Sequence, residues 1–122
     1  MPRYVILLHQ MPPDGPRATH WDLMLQWGAV LRTWALDQPP NPALAVTARG
    51  LADHRIAYLD YEGPVGADRG SVIRWDAGTF ELRHERQREI CVALCGRRLS
   101  GILTLQRSGD DENCWSCTLA AA

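Results

Sequence analysis

An all-β fold, closed into a small barrel of about eight antiparallel strands, is the architecture this sequence predicts. Three observations lead there. Apolar runs are short, Gly, Pro, Asp and Asn interrupt them at regular intervals, and no window of about 11 residues sustains a helical period. Closure follows because short open-sheet strands would leave unpaired backbone at two edges.

The elements follow in chain order. A first strand is expected from Arg3 to Leu8, in the run Tyr4-Val-Ile-Leu-Leu-His9. Its successor, Gln10-Met-Pro-Pro-Asp-Gly-Pro-Arg-Ala18, is rich in proline and reads as an ordered surface turn. His20 to Trp27 and Val30 to Leu36 form a hairpin about Trp27-Gly-Ala-Val30. A second proline loop, Asp37-Gln-Pro-Pro-Asn-Pro42, leads to a strand from Leu44 to Ala48, and His54 falls in the loop beyond it. Ser71 to Trp75 and Thr79 to Arg83 are read as two strands joined by a turn at Trp75-Asp-Ala-Gly-Thr79. Glu89 to Cys95, Ile102 to Gln106 and Cys114 to Leu119 complete the set, with a turn at Gly96-Arg-Arg-Leu-Ser-Gly101.

A length of 122 residues suits one domain over the whole chain, with a real core. The apolar share of 46% and charged share of 22% are those of an ordinary globular protein. A net charge of −1 creates no global field toward nucleic acid or anionic lipid, so phosphate binding would need a local cluster. All 13 basic residues are Arg, whose planar fork suits phosphate. No segment reaches the roughly 18 apolar residues of a membrane span, and the first apolar run is too short for a signal peptide. A cytoplasmic, monomeric protein is expected. Cys91, Cys95, Cys114 and Cys117 then read as reduced thiols, with a structural zinc site as the weaker alternative.

The chemistry-bearing motif is His20-Trp21-Asp22. Alternate strand residues share a face, so His20 and Asp22 project together while Trp21 points away. Imidazole nitrogen beside carboxylate oxygen suits Mn, Fe or Zn. The competing reading is a half-buried strand histidine bonded to backbone, and pattern alone does not choose between them. His9 and His54 lie at an element end or in a loop and are further candidates; His84 sits in the polar run Leu82-Arg-His-Glu-Arg-Gln-Arg88 and reads as solvated.

A wider pattern surrounds the motif. His9 is followed by His20-Trp-Asp-Leu-Met-Leu, then Gly28-Ala-Val-Leu-Arg-Thr-Trp-Ala-Leu36, then Asp53-His-Arg-Ile-Ala-Tyr-Leu-Asp-Tyr-Glu-Gly63, then Gly70-Ser-Val-Ile-Arg-Trp-Asp-Ala-Gly-Thr79, and finally Gly96-Arg-Arg-Leu-Ser-Gly-Ile-Leu-Thr-Leu-Gln-Arg107. In collinear order from about Tyr4 to Arg107, this resembles the 3′-phosphoesterase domain of bacterial DNA ligase D. The resemblance implies a small β-barrel with its site in an interior crevice. It also implies a Mn2+-dependent enzyme, or one using another divalent transition metal, that removes a 3′-phosphate or a 3′-terminal ribonucleoside from DNA. Its partners would be DNA 3′ ends or primer-templates, with separate ligase or end-joining proteins acting on the product.

Position by position, the resemblance makes His9, His20 and Asp22 metal ligands. His54 matches the histidine beside the scissile phosphate, Tyr58 the tyrosine of the same motif, Arg32 a lysine of the site, and Arg49 an upstream phosphate-binding arginine. Arg32, Arg49 and His54 would neutralise the transferring phosphoryl group, and His54 could donate a proton to the leaving oxygen. Three departures stand out. Met24 and Gln26 replace an arginine and a glutamate of the family motif, and the gap from His9 to His20 is longer than the family's. They raise the alternatives of an altered substrate or a non-catalytic module that binds metal or phosphate. A non-haem Fe(II) oxygenase also orders its ligands as H-x-D and a later His, but the stretch from Asp22 to His54 is short for that architecture.

Overall fold

The computed structural model describes residues 1–66 and 68–121. Its strands are β1 (Arg3–Gln10), β2 (His20–Trp27), β3 (Val30–Leu36), β4 (Val46–Arg55), β5 (Gly63–Pro64), β6 (Ser71–Arg86), β7 (Glu89–Gly96), β8 (Ser100–Arg107) and β9 (Cys114–Ala120), with a single 3-10 turn at Ile56–Leu59. Neighbours run β1-β2-β3-β4-β9-β8-β7-β6, and β6 pairs back onto β1, so eight antiparallel strands close a barrel-like ring. The two-residue β5 adds to β6 outside that ring. No helix among the described residues is long and apolar enough to cross a membrane.

The β2–β3 hairpin matches its expected bounds, and Gly28 takes the positive φ of 63° that its tight turn needs. Two expectations are corrected. Ser71 to Trp75 and Thr79 to Arg83 are one 16-residue strand, with no turn at Trp75–Thr79. Its first half pairs with β1 and its second with β7, and a register shift opposite Ile6 and Leu7 lets the strand bend between partners. Gly78 belongs to this close packing: a Cβ there would stand 2.1 Å from the Cys95 carbonyl oxygen. The motif's glycine therefore marks close backbone approach within a strand. The second correction concerns β4, which continues to Arg55 and takes His54 out of the loop into the β3–β4 ladder, opposite Leu31.

Alternation divides the apolar residues into two layers. Tyr4, Ile6, Leu23, Leu25, Trp34 and Phe80 belong to the large interior cluster, to which all eight ring strands contribute. Val5, Leu7, Met24, Leu31, Leu59 and Val72 form a second cluster on the outer face of β1, β2 and β3, covered by the 3-10 turn. Each such fully buried side chain contributes roughly 1.5–3 kcal/mol.

Asp76 is buried on the interior side, where its carboxylate accepts from Tyr4 Oη at 2.6 Å, Arg98 N at 2.8 Å and Leu99 N at 3.2 Å. It ties β1 and β6 to the β7–β8 turn. Gly96 makes the room, because a Cβ there would lie 1.8 Å from Tyr4 Oη. All four cysteines are free thiols. Cys117 joins the interior cluster, where burial pushes its thiol up to about 12, whereas Cys91 lies between inward-facing Ile90 and Val92 and faces out. The four sulfurs therefore do not converge on one point.

Candidate metal centre

The register of β1 against β2 places His9 opposite His20 at the end where the proline loop joins the strands. Asp22 lies one same-face step further along β2. Its Oδ2 is 3.1 Å from His9 Nδ1, and its Oδ1 is 3.0 Å from His20 Nε2. The imidazole centroids are 4.7 Å apart. Among the described residues this is the one group of three or more His, Cys, Asp or Glu side chains close enough to share an ion, with ligand atoms all within 4.8 Å of one another.

The other ring nitrogens are held by backbone carbonyls: His20 Nδ1 lies 2.9 Å from Ala18 O, and His9 Nε2 lies 2.8 Å from Arg69 O. A carbonyl can only accept, so these contacts assign the proton to each of those nitrogens. In the neutral rings, His9 Nδ1 and His20 Nε2 then carry lone pairs beside the Asp22 carboxylate. That arrangement calls for a cation. His20 Nε2 and Asp22 Oδ1 are buried, and their geometry makes no hydrogen bond despite their proximity. Buried polar atoms without partners cost about 1–3 kcal/mol each, and two nitrogens with one carboxylate are a donor set that divalent transition metals accept. Carbonyls orienting both rings from behind are the usual outer shell of histidine ligands.

Charge follows the same geometry. Burial alone would push the Asp22 carboxyl up, but the two imidazoles outweigh it and hold it at about 2. The Asp22 carboxylate in turn raises the His9 imidazole above its ordinary value, while the positive charge of Arg17 opposes that rise. Arg17 is a residue that no sequence motif marks, although the long loop carrying it is visible. The role of Gly70 is likewise hidden in the sequence. Its φ of 77°, and the 1.9 Å that would separate an added Cβ from Gln10 O, show why only glycine lets the Arg69–Gly70 backbone approach β1, so that the Arg69 carbonyl reaches His9.

The remaining candidates separate by face. Asp22, Ala35 and Arg49 form one row across β2, β3 and β4, so Arg49 shares the triad's face, and it lines a cleft of about 250 Å3 with His20 and Arg17. Gln26, Leu31 and His54 form a row on that same face, four residues further along β2, which is ~13 Å at the usual strand rise. There His54 Nδ1 bonds Ala52 O at 2.9 Å, and its ring meets Tyr58 edge-on at 5.6 Å. Met24 lies between the rows, buried in the outer cluster, and Gln26 Oε1 accepts from Arg3 N at 2.9 Å. The position that carries arginine in the family motif is here part of an apolar floor.

Arg32 is not brought to the triad. It stands opposite Leu25, so it shares the interior face of β3 and occupies a mouth of the barrel. There its guanidinium lies 4.7 Å from the Trp27 ring centroid and bonds Glu85 at 2.9 Å. Alternation along β3 decides this, because Arg32 takes the face of Trp34 while Leu31 and Thr33 take the other. Arg32→Ala is therefore expected to cost about 1 kcal/mol or less in stability and to leave divalent-metal affinity unchanged, checked by thermal melting and Mn2+ titration. The triad, expected in an interior crevice, lies instead on the outer wall of the ring: its residues alternate with Tyr4, Ile6, Leu23 and Leu25, which fill the interior.

A model of the DNA Ligase D 3′-phosphoesterase domain matches residues 14–107. The match begins beyond His9, the member of the triad on β1. The chain is also 30% identical, over 109 aligned positions covering 81% of its length, to a Pseudomonas aeruginosa protein named multifunctional non-homologous end joining protein LigD. It spans 12% of that relative.

Proposed function

Given that this chain belongs to the DNA ligase D 3′-phosphoesterase domain family, we propose that it is a divalent-metal-dependent hydrolase acting on DNA 3′ ends, with Mn2+ as the working metal. The substrates are a 3′-phosphate or a 3′-terminal ribonucleoside, and the product is an end that ligation or synthesis can use. The observation that carries the reading is the convergence of His9 Nδ1, His20 Nε2 and the Asp22 carboxylate without an internal hydrogen bond between His20 and Asp22. A divalent ion bound there supplies Lewis acidity toward a phosphate oxygen and lowers the pKa of water.

The chain's own residues then have distinct tasks. Asp22 and the two imidazoles hold the ion, and the Ala18 and Arg69 carbonyls keep the rings aimed. Arg49, on the same face, neutralises phosphate charge. His54 and Tyr58 serve the flanking part of the strand, where the Tyr58 ring offers a stacking surface for a base. Binding without turnover is the second reading, favoured by Met24, which places a buried thioether where the family motif has a cation.

A 5′-labelled primer-template ending in one ribonucleotide or in a 3′-phosphate separates the two. Shortening or dephosphorylation is expected with Mn2+ and is abolished by chelator. A protein that binds these ends equally well with chelator and never converts them is the binding module instead.

A further inference from the structure

The cleft beside His20 has a feature that the family motif does not supply. Arg17 and Arg49 line it from opposite elements, the proline loop and β4, with Asp37 the one acidic residue of its lining. Both arginines are exposed, and neither forms an ion pair among the described residues. The loop that carries Arg17 is fastened at several points. Met11 N donates to Thr19 Oγ1 at 3.1 Å, Gly15 N to Pro12 O at 2.9 Å, and Ala18 O accepts from His20, while Pro12, Pro13 and Pro16 fix their own φ angles. Arg17 is thus presented next to the ligand set by restrained backbone.

We propose that Arg17 is a phosphate-positioning residue, which with Arg49 forms a two-arginine clamp for a phosphate of the DNA 3′ end in the cleft beside His20. This rests on the phosphoesterase reading and deepens it. The clamp places on the longer loop the positive charge that Met24 cannot provide from β2. Two guanidinium groups on one cleft can each give paired N–H donors to phosphate oxygens. Since they come from separate elements, the spacing between loop and β4 selects where along the strand the phosphate is seated. The 3′-terminal phosphate and the penultimate phosphodiester share this chemistry, and substrates with and without the terminal phosphate distinguish them.

The test is binding of a fluorescent single-stranded oligonucleotide, with a 3′-phosphate or a 3′-hydroxyl, by anisotropy in chelator at several salt concentrations. Mn2+ affinity and turnover are measured on the same proteins. Arg17→Ala is expected to weaken binding about tenfold, and to reduce the slope of log affinity against log salt by about 0.7, the value for one lost contact to a single strand. Its Mn2+ affinity does not fall, since removing a cation beside the triad cannot weaken dication binding, and Arg17→Lys recovers part of the oligonucleotide affinity. If the two arginines hold one phosphate, adding Arg49→Ala costs less in the Arg17→Ala background than in the wild type. An Arg17→Ala protein with wild-type affinity and salt slope overturns the clamp. The esterase reading would be untouched by that result if Mn2+-dependent turnover persists. Conversely, a wild type that binds ends through Arg17 but never converts them keeps the clamp and removes the esterase.

Discussion

Asp22→Ala is expected to abolish the divalent-metal binding proposed for the triad, and with it metal-dependent turnover, while the protein keeps its fold. Losing a partner that merely orients a ligand costs about 10–100-fold in metal affinity or activity, so losing a direct ligand exceeds 100-fold. The reason lies in the lone pairs. Without the carboxylate, His9 and His20 are two neutral nitrogens on facing strands, with no negative charge to offset a dication. Folding tolerates the change because the contacts of Asp22 with the two imidazoles lie on the outer wall, and Asp22 takes no part in the interior cluster. Mn2+ titration of the variant, alongside its circular dichroism, checks both halves. A variant that bound Mn2+ as the wild type does would remove the triad from the mechanism.

Asp76→Ala has the opposite profile: a large loss of stability with the metal centre intact in the molecules that remain folded. Its carboxylate is the shared acceptor for a buried tyrosine hydroxyl and two backbone N–H groups. Alanine leaves these donors unsatisfied, which costs about 2–4 kcal/mol in total. At roughly 4 °C per kcal/mol for a chain of this size, the melting temperature falls by about 8–16 °C. Mn2+ affinity measured well below the new transition is expected to stay unchanged, since Asp76 pairs with Ile6 on the interior face and the triad lies on the other. Unchanged melting together with lost turnover would instead make the Trp75-Asp76 motif part of the site.

These two aspartates show what a sequence pattern can and cannot distinguish. Both sit in segments that match the ligase D pattern, one in His20-Trp-Asp and one in Trp75-Asp-Ala-Gly, and both are buried. Position in the motif does not say which one joins a cluster of possible metal-binding side chains and which one holds the barrel together. The same limit applies to the glycines. Gly78 looks like a turn residue in the sequence, yet its place is a bent continuous strand whose neighbour leaves no room for a Cβ.

What the sequence determined by itself was local. Period-two alternation made β2 and β3 legible to the residue, put His20 and Asp22 on one face, and with the turn residues marked an all-β ring, because these properties depend on neighbours one or two positions away. Tertiary structure alone decided the rest. The pairing of β1 with β2 set His9 opposite His20, and the approach of Gly70 to Gln10 aimed the His9 ring. The β2–β3 register sent Arg32 to the interior mouth, while the β3–β4 register kept Arg49 on the triad's face. Strand pairing carries these outcomes because a face is shared across strands only through register, and register is settled by contacts between residues far apart in the chain.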